Sequence, residues 1–298
     1  MRQMALQLPP ITVERWVNSP PLTPDDLRGR VVLVDIWEYT CVNWIRTAPY
    51  VKAWHRDYAD LGLTVVGVHA PEFEFGRDAA NIDRAVRDHG LTYPVALDND
   101  FTFWRILRND AWPAKYLFDA EGRLVDRWVG EGAYERVESE IRRLLEVRAP
   151  RTGLPPVSPE AAAFAEVGEP SYVGITPETY VGADRGVPGT FTVTGDWLSG
   201  GEYVELVSGT GELALPFNAG EVNLVVDPGP TGRAEVRVLL DGEPIGGERG
   251  ADVDADSVAH LDRAAMVRLV DGASRDDHLL SLVTGQVGFR AYVFTFGP

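Results

Sequence analysis

The sequence is poor in cysteine: its 298 residues include one, Cys41. No disulfide can therefore form within the chain. A dithiol cycle, in which a second thiolate of the same protein resolves a mixed disulfide, is excluded on the same ground. One cysteine also cannot build a structural disulfide, so the cysteine count does not indicate a redox compartment. Any thiol that resolves a disulfide on Cys41 must come from another molecule.

Long apolar runs and positive charge are scarce as well. No segment reaches the roughly 20 apolar residues of a membrane helix, and the N-terminus has no apolar core of signal-peptide length. We therefore expect no membrane insertion and a cytoplasmic protein, or alternatively a soluble extracytoplasmic fragment of a longer membrane-anchored protein. The formal net charge of −17 disfavours nucleic acid and anionic membrane surfaces as partners.

Length and composition favour a globular protein of two domains. Hydrophobic residues make up 45% and aromatic residues 10% of the chain, which suffices for packed cores. At this length two domains are the natural expectation. We divide the chain into residues 1–149, a Pro/Ala-rich linker at 150–170, and residues 171–298.

Lysine occurs only at positions 52 and 115, which we interpret as a composition bias and not as a site.

The first domain alternates apolar runs with segments of helical spacing. Val31–Ile36 and Leu63–His69 are nearly continuous apolar runs, typical of central strands that are buried on both faces. The other predicted elements are helices at Asn43–Ala59, Asp78–His89, Phe101–Leu107 and Tyr134–Val147, a strand at Tyr93–Leu97, and a hairpin of Lys115–Asp119 with Leu124–Val129. The order βαβαβαββα predicts an α/β fold with a mixed central sheet and helices on both faces.

The second domain is a series of short strands separated by Gly, Asp and Pro turns. About eight strands at this spacing predict an all-β sandwich or jelly roll. The candidate strands are Phe191–Thr194, Glu202–Val207, Glu212–Phe217, Glu221–Val226, Ala234–Leu240, Ala265–Val270, His278–Val283 and Gly288–Phe296.

The segment around Cys41 carries a distinctive pattern. A strand, a short loop and a helix follow one another there, where a thioredoxin-type site has Cys-x-x-Cys, but Trp44 stands at the second position. The other matching features are Asp35, Trp37, Arg46, Pro49, the segment Val66–Phe73 and the pair Trp112-Pro113. On these residues, the stretch from about residue 27 to 145 resembles the thioredoxin superfamily, most closely the TlpA-like (AhpC/TSA-type) domain in the soluble C-terminal region of DipZ-type proteins.

The resemblance implies a thioredoxin-like fold, thiol–disulfide exchange and four catalytic positions. Cys41 would be the nucleophile, because the free N–H groups and the dipole at a helix start favour a thiolate. Asp35 would be the buried carboxylic acid that relays protons, since burial raises a carboxyl pKa toward neutrality. Trp44 and Arg46 occupy the two remaining catalytic positions. The alternative for Asp35 is a hydrogen-bonded structural residue.

The resemblance also implies a set of substrate contacts. These are Trp37, Glu72, Trp112 and Pro113, with the Trp112–Pro113 peptide bond in cis and its loop facing the thiol. Trp112 and Trp44 would flank Cys41, as an apolar platform for a partner or as a cap on the pocket. His69 could assist Cys41 only within hydrogen-bond reach, and a structural histidine is the alternative.

The second domain resembles the β-sandwich that follows the thioredoxin-like domain in DipZ-type proteins, which is similar to carbohydrate-binding modules. Trp197, Tyr203, Phe289 and Tyr292 are the candidates for stacking on sugar rings. A glycan is therefore a possible partner of this domain. The alternative is that these aromatic side chains belong to its core.

Other chemistries find little support in local motifs. A peroxiredoxin would have Thr or Ser three residues before its cysteine, where this chain has Glu38. The acidic segment Asp252–Asp256 lacks the Gly and Glu of a calcium-binding EF-hand loop. No local Ser-His-Asp order, phosphate-binding loop or metal-ligand spacing is present, and we expect no cofactor or metal.

Two hypotheses follow from these patterns. The leading one is a thiol–disulfide oxidoreductase with a single-cysteine Cys-x-x-Trp site, whose partner is a small thiol or a protein that bears a thiol or a disulfide. The alternative is a redox-inactive binding or scaffold protein that recognises a polypeptide or a glycan. Fold analogy does not choose between them, because this fold hosts both.

Overall fold

The computed structural model describes residues 6–148, 153–167 and 171–298. The chain divides into two compact units, Met1–Glu169 and Pro170–Pro298. Within the described ranges, no helix is both long and apolar enough to cross a membrane. The cytoplasmic location stays a prediction.

The first unit has a six-stranded mixed sheet with helices on both faces. Its elements are β1 (Arg15–Val17), α1 (Pro24–Leu27), β2 (Val31–Trp37), α2 (Val42–Tyr58), β3 (Leu63–His69), α3 (Ala79–Asp88), β4 (Val95–Leu97), α4 (Thr102–Leu107), β5 (Ala114–Phe118), β6 (Leu124–Val129), α5 (Tyr134–Arg148) and α6 (Pro159–Val167), with 3-10 helices at Ala59–Leu61 and Glu74–Arg77. The strand order is β1-β4-β3-β2-β5-β6. Strands β2, β3 and β4 run parallel, and the other neighbours pair antiparallel. The predicted α/β fold is confirmed, whereas β1 was not predicted.

Strand β2 separates the two cores of this unit, because successive side chains of a strand point to opposite faces. One face carries Val31, Leu33 and Trp37 and packs against α2 and α5. The other face carries Val32, Val34 and Ile36 and packs against α4. By the same alternation, Asp35 lies on the face that α2 covers. The fold thus places a carboxylate within an apolar, aromatic-rich core.

A buried carboxylate attaches the segment after α5 to this unit. Glu138 on α5 is 1% exposed and accepts hydrogen bonds from Trp54 Nε1 at 3.1 Å and from the Tyr58 hydroxyl at 2.5 Å. It also accepts from the backbone N–H and the hydroxyl of Ser158, at 2.8 and 2.7 Å. Helix α6 begins directly after Ser158 and packs against α2 and α5. Residues 153–167, within the predicted linker, are therefore part of the first unit's packing.

The second unit is an antiparallel ten-stranded sheet around its own core. Its strands are β7 (Thr179–Tyr180), β8 (Thr192–Ser199), β9 (Val204–Phe217), β10 (Glu221–Asp227), β11 (Ala234–Leu240), β12 (Glu243–Pro244), β13 (Val258–Leu261), β14 (Ala265–Asp271), β15 (His278–Thr284) and β16 (Arg290–Gly297). The all-β prediction is confirmed. Two predicted strands are merged into the continuous β9, and the short β13, which follows the acidic segment at 252–256, was not predicted.

Candidate thiol site

Cys41 lies where β2 gives way to α2, as the sequence predicted. It is the N-cap residue of α2, with φ −72° and ψ 111°, and its side chain is partly exposed. Its carbonyl accepts the first helical hydrogen bond, from the N–H of Ile45 at 2.9 Å, and its own N–H donates to the carbonyl of Glu38 at 3.2 Å. The thiol therefore stands at the positive end of a 17-residue helix.

Asp35 and Trp44 are joined beneath this helix. Both side chains are 0% exposed, and the Trp44 indole N–H donates to Asp35 Oδ2 at 3.0 Å. Within the described ranges, Asp35 Oδ1 has no hydrogen-bond partner. The tryptophan that replaces the expected second cysteine thus binds the acid that would have served that cysteine.

Burial dominates the titration of Asp35. It raises the pKa of this carboxyl to about 6, although the charge of Lys115 and the hydrogen bond from Trp44 both act to lower it. An acid that titrates near pH 6 exchanges protons in the physiological range. The indole occupies Oδ2 and leaves Oδ1 as the oxygen that could exchange a proton.

Lys115 completes the buried polar group, and the sequence did not lead us to it. It is paired across the sheet with Asp35, from β5 to β2, and is 0% exposed. Its ammonium donates to the carbonyl of Gly130 at 2.9 Å. Burial lowers the pKa of Lys115 to about 8, while the charges of Asp35 and Glu131 act in the opposite direction. A composition bias in lysine usage does not account for the burial of Lys115 beside Asp35.

A second buried acid lies in the loop before Cys41. The Glu38 side chain is 0% exposed and accepts hydrogen bonds from the backbone N–H of Thr40, at 2.7 Å, and from its hydroxyl. Its other oxygen lies 3.7 Å from His69 Nε2. His69 is also 0% exposed and stacks on Tyr39, with 6.0 Å between the ring centroids. The structure thus pairs His69 with Glu38, and its assistance to Cys41 stays a prediction.

The expected substrate contacts differ in accessibility. The Trp112–Pro113 peptide bond is cis, as predicted. Trp112 is half-buried and packs on Trp104, with 4.4 Å between ring centroids, and Glu72 is half-buried in the loop after β3. Arg46 on α2 pairs with Glu131 at 3.6 Å. Trp112 and Glu72 therefore remain accessible for the contacts that the resemblance implies.

Two expectations about the tryptophans are wrong. Trp37 and Trp44 are both 0% exposed, and their rings pack against each other with centroids 4.4 Å apart. Trp37 therefore cannot contact a substrate at the surface, and Trp44 cannot form an apolar platform beside Cys41. The physical reason is the alternation of β2 and the inward face of α2, which direct both indoles into the same core.

Two of the four aromatic candidates for sugar stacking are buried, and two are partly exposed. Phe289 is 1% and Tyr292 is 3% exposed, so both belong to the core. Tyr203 packs on Tyr292, and Trp197 packs on Phe289. A groove of about 830 Å³ crosses β11, β13 and β15, but the residues that line it include no aromatic side chain. The geometry therefore gives no support to the glycan prediction.

Comparisons with known proteins agree with the thioredoxin-like resemblance. Residues 161–297 match the family described as "Thioredoxin like C-terminal domain". Protein DipZ of Mycobacterium tuberculosis (strain CDC 1551 / Oshkosh) is 33% identical over 254 residues, which cover 77% of this chain and 35% of DipZ. The thiol-disulfide oxidoreductase YkuV of Bacillus subtilis is 29% identical over 140 residues, which cover 46% of this chain and 93% of YkuV.

A solved structure, the solution structure of a thioredoxin-like protein in the oxidized form, is 28% identical, with a TM-score of 0.45, and covers 48% of this chain and 97% of that one. The resemblance to the thioredoxin-like region of DipZ-type proteins is confirmed by the sequence relatives. This chain spans about a third of the length of DipZ.

Proposed function

We propose that this chain is a thioredoxin-type thiol–disulfide oxidoreductase with a single-cysteine site. The observation that carries the proposal is the position of Cys41, partly exposed at the N-cap of α2 and above a buried acid on β2. A helix start favours the thiolate form, which is the form that attacks a disulfide. The name of the relative YkuV, a thiol-disulfide oxidoreductase, supports the same class of reaction.

The chemistry consists of two exchange steps. The Cys41 thiolate attacks one sulfur of a partner's disulfide, so a bond forms between Cys41 Sγ and that sulfur. The partner's S–S bond breaks, and its other sulfur leaves as a thiolate that takes a proton from solvent. A small thiol or a thiol of another protein then attacks the mixed disulfide and releases Cys41. The chain itself supplies no resolving thiol.

The buried groups are consistent with a site that forms a mixed disulfide and depends on an external thiol to resolve it. In a dithiol site the acid at the position of Asp35 would serve the second cysteine. Here Trp44 occupies that cysteine's position and donates to Asp35 at 3.0 Å. The cis-proline loop, with Trp112 half-exposed beside Pro113, is our candidate for the surface that receives the partner's backbone.

The first experiment is the rate of Cys41 alkylation against pH. Because the chain has one cysteine, the reaction reports on this thiol alone. We expect an inflection clearly below the ordinary thiol value of about 8.5. An inflection at or above that value, or no reaction until the protein unfolds, would contradict the proposal.

A second experiment tests turnover. Oxidised glutathione should add one glutathionyl group to the chain, and reduced glutathione should remove it, while Cys41→Ser should show neither. The Trp44→Cys variant should form an internal disulfide and reduce a protein disulfide, whereas the matched Trp44→Ser variant should not. Equal activity of Cys41→Ser and the unchanged protein would refute the assignment.

The pairing of Trp44 with Asp35 also favours a second candidate, a redox-inactive protein that binds a polypeptide. Replacement of the second thiol and engagement of the acid are both consistent with loss of exchange chemistry. A slow, unactivated Cys41 together with saturable binding of an extended peptide at the Trp112 loop would favour this candidate. Thiol turnover without any retained peptide or glycan would reject it.

A further inference from the structure

A hydrogen-bonded serine, histidine and aspartate lie at one edge of the second unit. Asp241 directly follows β11, Ser274 lies in the loop between β14 and β15, and His278 begins β15. The Ser274 hydroxyl lies 3.0 Å from His278 Nε2, and His278 Nδ1 lies 2.7 Å from Asp241 Oδ2. Asp241 and His278 are 37 residues apart in sequence, so no local motif indicates this group.

The backbone around the three side chains fixes their arrangement. Asp241 Oδ1 accepts the N–H of Leu279 at 2.8 Å, and the Asp241 N–H donates to the Leu279 carbonyl at 2.9 Å. The imidazole of His278 packs against the ring of Phe217, with 5.6 Å between centroids. In the neutral tautomer whose Nδ1 proton points toward Asp241, the lone pair of Nε2 faces the serine hydroxyl. This is the relation between base and nucleophile in serine hydrolases.

We propose that Ser274, His278 and Asp241 form a second nucleophilic site, at which the Ser274 hydroxyl is acylated by small uncharged esters. The Ser274 oxygen attacks the ester carbonyl carbon while its proton passes to His278 Nε2. The bond from that carbon to the alcohol oxygen then breaks, and the alcohol leaves with the proton from His278. Water repeats the sequence on the acyl-serine and releases the carboxylic acid, so no other reactant is consumed.

The surroundings define the substrate class. Ser274 is exposed, and Leu279, which is 43% exposed, is the apolar side chain next to the group. The carboxylates of Asp276 and Asp277 follow Ser274 closely in the loop and repel anionic esters. An exposed site with one apolar neighbour suits a short acyl group and a reactive leaving group. The backbone N–H of Arg275, the residue after the serine, is the candidate donor to the developing oxyanion.

Asp276 competes with His278 for the serine proton. Its Oδ2 lies 3.0 Å from the Ser274 hydroxyl, which has one proton for two acceptors. The groups that face His278 are Asp241, Ser274 and Asp276. The hydrogen bond with Asp241 raises the pKa of His278, a hydrogen bond to the Ser274 backbone and the charge of Asp276 add to this effect, and burial acts against it. An imidazolium cannot accept a proton, so reactivity should increase as the pH rises through a value above the ordinary 6.5.

The test uses the full chain and a fluorophosphonate probe, which reacts with activated serine hydroxyls. Mass spectrometry should locate the adduct on Ser274, and Ser274→Ala should abolish it. His278→Gln should slow labelling at least about tenfold, in line with general-base catalysis. His260→Gln is the matched control, because His260 is an exposed histidine of the same unit that also pairs with an aspartate, at 2.9 Å, and it should leave the rate unchanged. Asp276→Ala should accelerate labelling.

Two results would overturn the proposal. The first is the absence of a fluorophosphonate adduct on Ser274 in the unchanged protein. The second is labelling of Ser274 that does not depend on pH between 5 and 9, because a histidine base must lose its proton within that range. The pH profile needs no variant, so it decides the question even where His278→Gln disturbs the loop.

Discussion

Replacing Trp44 with phenylalanine removes the hydrogen bond to Asp35 while it keeps an aromatic ring in the core. That bond favours the charged carboxylate, so its loss should raise the pKa of Asp35 above the present value of about 6. A hydrogen bond to a charged group contributes about 1.5–3 kcal/mol, and one pH unit corresponds to about 1.4 kcal/mol. We therefore expect the pKa to rise by about one to two pH units.

The same change has a defined effect on the pH dependence of stability. The pKa of Asp35 is already above the ordinary aspartate value of 3.8, so the folded state holds this proton more tightly than the unfolded state. Its contribution to the free energy of unfolding is therefore greatest below pH 4, and it falls by ~3 kcal/mol as the pH rises to about 6. In Trp44→Phe the decline should continue to about pH 7–8.

Carbon-13 NMR of the aspartate carboxyl groups measures the titration directly, and the signal missing in Asp35→Asn assigns it. The matched control is Trp54→Phe, which removes an indole hydrogen bond of 3.1 Å to Glu138 from the same helix and should leave Asp35 unchanged. Chemical denaturation from pH 4 to 9 measures the second effect. The assigned role of the indole would be refuted if the titration midpoint of Asp35 in Trp44→Phe were equal to or lower than in the unchanged protein.

Two further predictions concern buried charges that the sequence pattern did not reveal. Lys115→Met should raise the pKa of Asp35 above about 6, because it removes the attractive ammonium. The control is Lys52→Met, which changes the other lysine and should leave the titration midpoint of Asp35 unchanged. A midpoint that stays the same in both variants would contradict the pairing of Lys115 with Asp35. Glu138→Gln should lower the free energy of unfolding by about 3 kcal/mol, since it replaces a charged acceptor of four hydrogen bonds. The control is Glu140→Gln on the same helix, which loses only an exposed ion pair. It should lower the free energy of unfolding, measured by denaturation, by less than about 1 kcal/mol. Equal losses of stability in the two variants would refute the role of Glu138.

The central strands and the position of the thiol could be predicted because their signals are local. The apolar runs of β2 and β3 and the helical spacing of α2 each lie within one segment, so the sequence places Cys41 at the helix start. Strand β1 was not predicted, because it has three residues, none of them buried. It is defined as a strand by its pairing with β4. Strand β13 is likewise defined by its partner β11.

The buried partners of the site could not be predicted, because they depend on register between distant segments. Lys115 stands beside Asp35 only because β5 pairs with β2 in one particular register. A lysine within the apolar segment of β5 was the available signal, since a lysine is rarely buried without a partner. The cluster of Ser274, His278 and Asp241 has the same origin, as β11 and β15 are adjacent strands.

The identity of the residue at position 44 therefore determines more than the number of thiols. An aliphatic side chain there would fill the core but would leave the buried carboxylate of Asp35 without the indole donor. Its pKa would then rise further, to about 7–8, and a larger fraction of the acid would be neutral at physiological pH. The indole and the charge of Lys115 both lower the pKa of Asp35 and so favour the ionised carboxylate near neutral pH. Tryptophan at this position thus leaves the chain with one thiol and favours a charged group beneath α2.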